Sequence, residues 1–597
     1  MGVRTNNRLR PGHPRSGLLA AVAPVRRLSG AIVVLGLVAL FTAVAASPGS
    51  ALVRRGGAGA VPAVAQISPW TATEAQVPAN AGADPAAFLE AVACPDAGSC
   101  VATGSYTDSS GDQQGLIDTL SDGAWSAGEA QLPSGAATDP LASLEAVACP
   151  DAGSCVATGH FTETNGDQVG LVETLSDGTW TGAVAQLPSG AASDPAADLA
   201  AVACPVTGSC VATGDYKDSG GLIQSVIDTQ SGDTWSATVA QLPPGATSGS
   251  TIGPPACPAA GSCVAIADYT DTSGNVQSAI ETLSTNTWTA QEAPNLADEA
   301  APGHERNLLG PVTCSAPGAC TAVGSFAPSA GDSQGLIETL ANGSWTPTAA
   351  PLPADAPPTN AYSALDVVSC PASDDCVALG WYYDTSAAYH VVMETQSDDT
   401  WVPTEQVLPA PTKANPANPD QNVGNVACQT SGSCVAVGAY IGARHENKGV
   451  IETLAEDDWS ALKAPLPTKG AGALASDLMD VTCTSGGSCV AVGRFGGGPL
   501  IETLAGGESA PTFSSADQAT FTVGEPGAFT VTATGTPLPD ITKKGRLPKG
   551  LSFTKGTGTA SISGTPTGAG GTFTVTIEAQ NGVVPSASQS LTLTITT

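Results

Sequence analysis

The sequence predicts an all-β protein: an eight-bladed β-propeller over residues 68–506, closed by exchange of its N-terminal strand, then a small β-sandwich over 510–597. Three observations carry this. The block Cys94-Pro-Asp-Ala-Gly-Ser-Cys100 returns at Cys149, Cys204, Cys257, Cys314, Cys370, Cys428 and Cys483, which places all 16 cysteines in eight Cys-x5-Cys pairs at spacings of 53 to 58 residues. Each copy holds four short strand-like runs bounded by turn residues, the pattern of a propeller blade. Beyond residue 509 cysteine and tryptophan vanish, and Thr, Ser and Gly alternate with Val, Phe and Ile at the period of half-buried strands.

The chain opens on a targeting segment. Arg4, Arg8, Arg10, Arg15, Arg26 and Arg27 precede the apolar run Ala31 to Ala46, and small residues follow it. That order describes a secretory signal over 1–51, either cleaved or kept as an anchor, although the run is short of the roughly 20 residues a membrane span needs. Residues 52–67, rich in Gly and Ala, form a linker. The rest of the chain is expected to be secreted or at the cell surface, where cysteines pair.

In the first copy the strand-like runs are Leu89 to Ala93, Val101 to Tyr106, Leu116 to Leu120 and Trp125 to Leu132, here called a, b, c and d. A Pro-Asp-Ala-Gly turn joins a to b, a polar loop joins b to c, and Ser121-Asp-Gly123 joins c to d. Closure follows from a mismatch at the two ends. Trp70-Thr-Ala-Thr-Glu-Ala-Gln-Val77 parallels strand d of the first copy, Trp125-Ser-Ala-Gly-Glu-Ala-Gln-Leu132, yet it precedes that copy; the last copy stops after strand c at Ala505. Eight cysteine pairs and eight repeat tryptophans (Trp70, Trp125, Trp180, Trp235, Trp288, Trp345, Trp401, Trp459) balance only if the N-terminal strand completes the last blade. A closed ring pairs the strand-c edge of the last copy, which the alternative, an open solenoid, leaves exposed.

Residues that recur in every copy are read as structural. The pairs Cys94-Cys100, Cys149-Cys155, Cys204-Cys210, Cys257-Cys263, Cys314-Cys320, Cys370-Cys376, Cys428-Cys434 and Cys483-Cys489 flank a short a-to-b turn and are expected to be disulfides. Each closes a small loop worth about 2 kcal/mol in the loop-entropy picture. No histidine or CxxC accompanies them, so a metal site is not expected there. Strand c carries Asp118, Glu173, Asp228, Glu281, Glu338, Glu394, Glu452 and Glu502. Paired carboxylates hydrolyse glycosides, but a group present in all eight copies serves better as a buried hydrogen-bond acceptor, and the repeat tryptophans as packing between blades. Acidic b-to-c loops such as Asp108-Ser-Ser-Gly-Asp112 and Asp271-Thr-Ser-Gly-Asn275 offer the oxygen ligands that calcium (Ca2+) takes. They lack a full ligand series and suit polar turns equally, so no cofactor is required. The c-to-d turn Ser176-Asp-Gly-Thr-Trp180 loosely resembles the Asp-box of sialidases. It lacks that motif's intervening residues, and Ser284-Thr-Asn-Thr-Trp288 loses it, so no sialidase activity is carried over.

Specific function is expected where the copies differ. The position before the strand-b aromatic reads Ser105, His160, Asp215, Asp268, Ser325, Trp381, Ala439 and Arg494. The rare residues fall nearby: His304, Glu305 and Arg306 between d and a, Tyr382 and Tyr383 at the end of b, His390 at the start of c, Arg444 and His445 between b and c. All belong to the rim carrying the long loops. His160, Asp215, Asp268, His304, Glu305, Arg306, Trp381, Tyr382, Tyr383, His390, Arg444, His445 and Arg494 are therefore the candidate ligand contacts. No nucleophile or catalytic dyad is recognisable, which favours a non-catalytic binding or adhesion protein recognising a glycan or surface protein. An extracellular carbohydrate-active enzyme, hydrolase or lyase, is the alternative, and it requires the arginines to converge with a carboxylate.

The C-terminal part alternates in Ala519-Thr-Phe-Thr-Val523 and Gly571-Thr-Phe-Thr-Val-Thr-Ile577. With Leu547-Pro-Lys-Gly-Leu-Ser-Phe553 and Gly558-Thr-Ala-Ser-Ile-Ser-Gly-Thr-Pro566 it resembles the bacterial Ig-like family of cadherin-like and dystroglycan-type modules. The resemblance implies a cell-surface spacer or adhesion module with no catalytic residues. Net charge is −33, and the region 1–55 contributes eight arginines and no acid, so the acidity lies in the repeats. A nucleic-acid partner is excluded because it needs clustered cations. The one basic cluster, Lys543, Lys544, Arg546 and Lys549, could contact an anionic cell wall. A monomer is expected.

Overall fold

The computed structural model describes residues 70–596 apart from short stretches that include 297–306, 328–332, 358–361, 411–420, 443–445, 469–474, 506–508 and 581–585. The segments expected to be a signal and a linker, together with His304, Glu305, Arg306, Arg444 and His445, lie outside the described residues. The chain is built of strands, and among the described residues no helix is long and apolar enough to cross a membrane.

Each repeat folds as an antiparallel sheet in the order a-b-c-d. In the first repeat the strands are Phe88–Asp96, Ser99–Thr107, Gln113–Ser121 and Ala124–Glu129. They run further than the apolar residues alone indicate, because the tight turns let the ladder continue to Asp96↔Ser99 and Ser121↔Ala124. The last repeat supplies Ser476–Cys483, Cys489–Phe495 and Gly498–Leu504, and its fourth strand is Trp70–Glu74. Trp70 pairs with Leu504 as Trp125 pairs with Leu120 within the first repeat.

Apolar residues on both faces of each sheet pack against the neighbouring sheets. Leu89 and Val92 of the first repeat share a core with Val490, Val492 and Ile501 of the eighth, while Trp70 packs with Val435 and Ile451 of the seventh. The a strands touch in cyclic order from the first repeat through the eighth, and the eighth, Ser476–Cys483, touches the first, Phe88–Asp96. The repeat tryptophans reach back to the preceding sheet: Trp288 Nε1 donates to Thr229 Oγ1 at 3.2 Å and Trp459 Nε1 to Thr395 Oγ1 at 3.3 Å.

Strand a bulges, and the bulge demands glycine opposite. A Cβ on Gly159 would stand 2.0 Å from the carbonyl oxygen of Ser143, where the a-b register shifts between Leu144 and Ala146. The fourth repeat departs from this. Its inner edge is split into Ala246–Ile252 and Ala256–Ala259 around Pro254 and Pro255, which have no N–H to give the ladder. In that repeat alanine, Ala267, occupies the glycine position, paired with Ile252. All eight cysteine pairs are disulfides joining the end of a to the start of b.

The C-terminal part forms two further sheets. One orders Ser509–Phe513, Gly527–Thr536, Thr559–Gly564 and Leu551–Thr554; the other contains Gln518–Thr522, Ala587–Thr596, Gly571–Gln580 and Asp540–Lys544. Gln518–Thr522 pairs parallel to Ala587–Thr596, and the other pairings are antiparallel. Val531, Ile541, Ile562, Ile577, Leu591 and Leu593 fill the core between them.

Candidate functional site

The d-to-a connection and the b-to-c turn of a repeat meet at one edge. Ala81 bridges to Asp108, Ala136 to Glu163 and Ala191 to Asp218. The acidic turns are held from within: Asp108 Oδ1 accepts the N–H groups of Ser110 and Asp112, and Asp271 Oδ1 those of Ser273 and Asn275. Those backbone donors hold both carboxyls below the ordinary range. One oxygen of each turn aspartate is thus committed to shaping the turn.

The eight strand-c carboxyls are buried. Desolvation pushes Asp118 and Glu281 up to about 7, Glu173, Glu338 and Glu394 to about 8, and Glu502 to about 9. Where a donor reaches them it comes from the preceding repeat: Gln186 N–H to Asp228 Oδ2 at 3.2 Å, Gln406 Nε2 to Glu452 Oε2 at 2.8 Å. Asp228 and Glu452 thereby tie sheet to sheet, and all eight lie inside the packed sheets rather than at the surface.

The variable strand-b position has diverged into several roles. His160 Nδ1 lies 3.1 Å from Glu145 Oε1 in its own repeat and 3.3 Å from Asp198 Oδ1 in the next. Burial opposes its charge, but the two carboxylates outweigh burial and hold the imidazolium to about 10. Asp215, raised to about 6 by burial, accepts from Ser225. Asp268 accepts from Ser278 Oγ at 2.8 Å, and that same oxygen accepts the N–H of Leu309 in the fifth repeat. Asp268 therefore braces a contact between sheets. Arg494 Nη2 lies 3.7 Å from Asp477 Oδ2 within the eighth repeat. The arginine convergence that an enzyme site calls for cannot be traced through Arg306 and Arg444, which fall outside the described residues.

The sixth repeat carries the aromatic exception. Its strands b and c are Asp375–Tyr383 and Tyr389–Ser397, with Trp381 opposite Val391 and Tyr383 opposite Tyr389. Trp381 and Tyr389 stack with centroids 6.0 Å apart and planes 20° apart, while Tyr383 meets each edge-on at 5.8 Å. Tyr383 is 37% exposed and Trp381 half-buried. Tyr362, 45% exposed, accepts the N–H of Tyr383 through its carbonyl. Side chains alternate across a strand, so Tyr382 points the other way. It is fully buried between the fifth and sixth repeats, which corrects its place among ligand-facing residues. Its Oη donates to Asp355 Oδ1 at 3.0 Å, and its ring stacks on His390. His390 in turn lies 2.9 Å from Glu405 through Nδ1 and 3.4 Å from Asp384 through Nε2.

Attention to rare residues finds His160, Trp381 and His390 but not their partners Glu145, Asp198, Asp355, Asp384 and Glu405, because carboxylates are common throughout the repeats. Tyr362 was within reach of composition: four of the eight tyrosines fall between positions 362 and 389.

In the C-terminal sheets, Lys543, Arg546, Phe553 and Lys555 line an open groove of about 670 Å³. Lys544 is paired with Glu578, and Lys543 Nζ donates to the carbonyl of Gly545.

The family model for the Putative Ig domain matches residues 510–596, so this part is an Ig-like domain. No curated protein matches the chain by sequence. Among solved structures, a neuraminidase-like protein of A/little yellow-shouldered bat/Guatemala is 13% identical, spans 51% of this chain and 92% of its own, with a TM-score of 0.29. A post-proline cleaving enzyme from Rickettsia typhi is 8% identical over 62% and 49%, with a TM-score of 0.34. The Aleuria aurantia lectin, in complex with Fucalpha1-6GlcNAc, is 12% identical over 55% and 98%, with a TM-score of 0.27. Likenesses this distant carry no argument about what this chain does.

Proposed function

We propose that the protein is a secreted or cell-surface, non-catalytic binding protein: an eight-bladed propeller closed by its N-terminal strand, with an Ig-like module behind it, that recognises a glycan through the long-loop rim of the sixth repeat. Closure is supported by the Trp70↔Leu504 pairing and by the cyclic contacts of the a strands. Extracellular residence is supported by the eight disulfides.

The observation that carries the binding assignment is the Trp381, Tyr383 and Tyr389 cluster. Eight of the nine tryptophans repeat as packing residues, and Trp381 is the ninth. Its repeat alone stacks three aromatic rings at the outer end of strands b and c among the described residues. Exposed aromatic faces take the apolar face of a pyranose, while the tyrosine hydroxyls donate and accept hydrogen bonds with its hydroxyl groups. The acidic repeats disfavour anionic partners. Cell-wall contact, if made, falls to the groove of Lys543, Arg546 and Lys555.

A panel of immobilised neutral, amino and acidic glycans, probed alongside extracted surface proteins, tests the reading. Binding to one neutral or amino-sugar class, reduced by Trp381→Ala, supports it. Retention of a surface protein with no glycan bound replaces the glycan by a protein partner. Turnover of a glycan in the panel replaces the binding role by the enzyme.

A further inference from the structure

The same repeat holds a polar cluster on the opposite face of its sheet. Its meaning emerges by comparison with the other repeats, which serve as internal controls. In the first and third repeats the strand-c residue opposite the buried tyrosine is glutamine: Gln114 opposite Tyr106, Gln224 opposite Tyr216. Each glutamine donates from Nε2 to the turn aspartate, Gln114 to Asp108 Oδ2 at 3.3 Å and Gln224 to Asp218 Oδ2 at 3.0 Å. In the first repeat the tyrosine hydroxyl donates to a neutral amide, Asn80 Oδ1, at 2.9 Å. The sixth repeat changes both amides. His390 stands opposite Tyr382 where the glutamine was, and Tyr382 Oη donates to Asp355 where the asparagine was.

These two changes replace neutral groups by a nitrogen ligand and a third carboxylate. Glu405 Oε1 lies 2.9 Å from His390 Nδ1, so the Nδ1 proton is donated to it and Nε2 carries the lone pair. Nε2 is buried and lies 3.4 Å from Asp384 Oδ2, an ion-pair distance. A ring nitrogen of His390 and one carboxylate oxygen each of Asp355 and Asp384 lie within 4.8 Å of one another. A lone pair facing carboxylates is repulsive unless a cation sits between them. Three carboxylates surround the one imidazole, and a divalent ion between them offsets most of that negative charge.

We propose that His390, Asp384 and Asp355 form a site for a divalent transition-metal ion, with Glu405 orienting the imidazole from behind. Two ligands each about 2.1 Å from a tetrahedral ion stand about 3.4 Å apart, the His390 to Asp384 separation. One nitrogen and two carboxylate oxygens suit zinc among the first-row ions, and a carboxylate on the far ring nitrogen is the usual support for a metal-bound histidine. The ion would join three segments, the d-to-a connection at Asp355, the b-to-c turn at Asp384 and strand c at His390. Two of these segments carry Tyr362 and Tyr389, and the turn directly follows Tyr383 at the end of strand b. The His160 cluster differs: Nδ1 sits at hydrogen-bond distance from both Glu145 and Asp198, so ordinary ion pairs satisfy it.

The test is zinc binding to the untagged, chelator-dialysed full-length protein, read by calorimetry and by the shift in melting temperature on adding zinc. His390→Gln restores the residue found in the first and third repeats and Asp355→Asn the one found in the first, so both variants keep a fold the protein already uses. One zinc per chain is expected, with affinity weakened about tenfold or more in each variant and the melting shift abolished. His160→Gln is expected to bind zinc as the parent does. No saturable zinc binding, or binding that survives His390→Gln, overturns the proposal, and loss of binding in His160→Gln alone moves the site to Glu145 and Asp198. Glycan binding is not the readout, so failure here leaves the proposed function standing.

Discussion

Asp480 Oδ2 accepts the backbone N–H of Val92 at 2.8 Å, across 388 positions of sequence. Its other oxygen takes Asn425 Nδ2 of the seventh repeat and its neighbour's N–H at Val481. One half-buried carboxylate thus links the a strands of the seventh, eighth and first repeats. Asp480→Ala leaves those donors buried without an acceptor and is expected to cost about 1–3 kcal/mol or more. Urea denaturation measures it, and a change within error contradicts the role assigned to Asp480.

Deleting Trp70–Glu74 strips the edge of strand Gly498–Leu504 and opens the core that Trp70 fills. Exposed edges recruit other chains. The truncated protein is expected to melt at lower temperature and to form oligomers in size-exclusion chromatography. A monomer with unchanged melting argues for an open array.

The buried strand-c carboxyls predict an unusual pH profile. Unfolded, they titrate at about 4; folded, burial raises Asp118 to about 7, Glu173 to about 8 and Glu502 to about 9. The folded state therefore keeps protons that the unfolded state has already lost. That stabilisation is complete below about pH 4 and is lost progressively as pH rises through the folded values. The melting temperature is expected to fall from about pH 5 to about pH 9, with a shallower fall in Glu502→Gln. A rise over that range contradicts the burial of these groups as acids.

Gly159→Ala places a Cβ 2.0 Å from the Ser143 carbonyl and is expected to destabilise by about 1–3 kcal/mol, as overpacking does. Ala267, at the same place in the fourth repeat, tolerates its methyl because Pro254 and Pro255 reroute the inner strand. Ala267→Gly is expected to change stability little. Thermal melts of the two variants make the comparison.

The repeats were legible because covalent and steric demands recur in the sequence: a cysteine pair at every a-to-b turn, a glycine opposite every regular bulge, a tryptophan at every strand d. The split inner strand of the fourth repeat was not, since Pro254-Pro255 marks a break without saying where the chain re-pairs. Within the site, rarity pointed to Trp381 and His390, but which face each side chain takes depends on register. A one-residue step separates the half-buried Trp381 from the fully buried Tyr382. The partners Asp355, Asp384 and Glu405 come from three different segments, and only the fold brings them to His390.

The central claim is that the one aromatic break in the repeats is the binding surface. It is tested most directly by measuring the affinity of the panel's best glycan for the parent protein, for Trp381→Ala and Tyr383→Ala, and for the control Ser325→Ala at the corresponding position of the fifth repeat. Melting curves establish that each variant is folded. The account predicts at least about tenfold weaker binding for the two aromatic variants, since stacking on an aromatic residue is worth on the order of 1 kcal/mol or more, and unchanged binding for Ser325→Ala. Equal affinity across all four proteins would place the ligand elsewhere and contradict it.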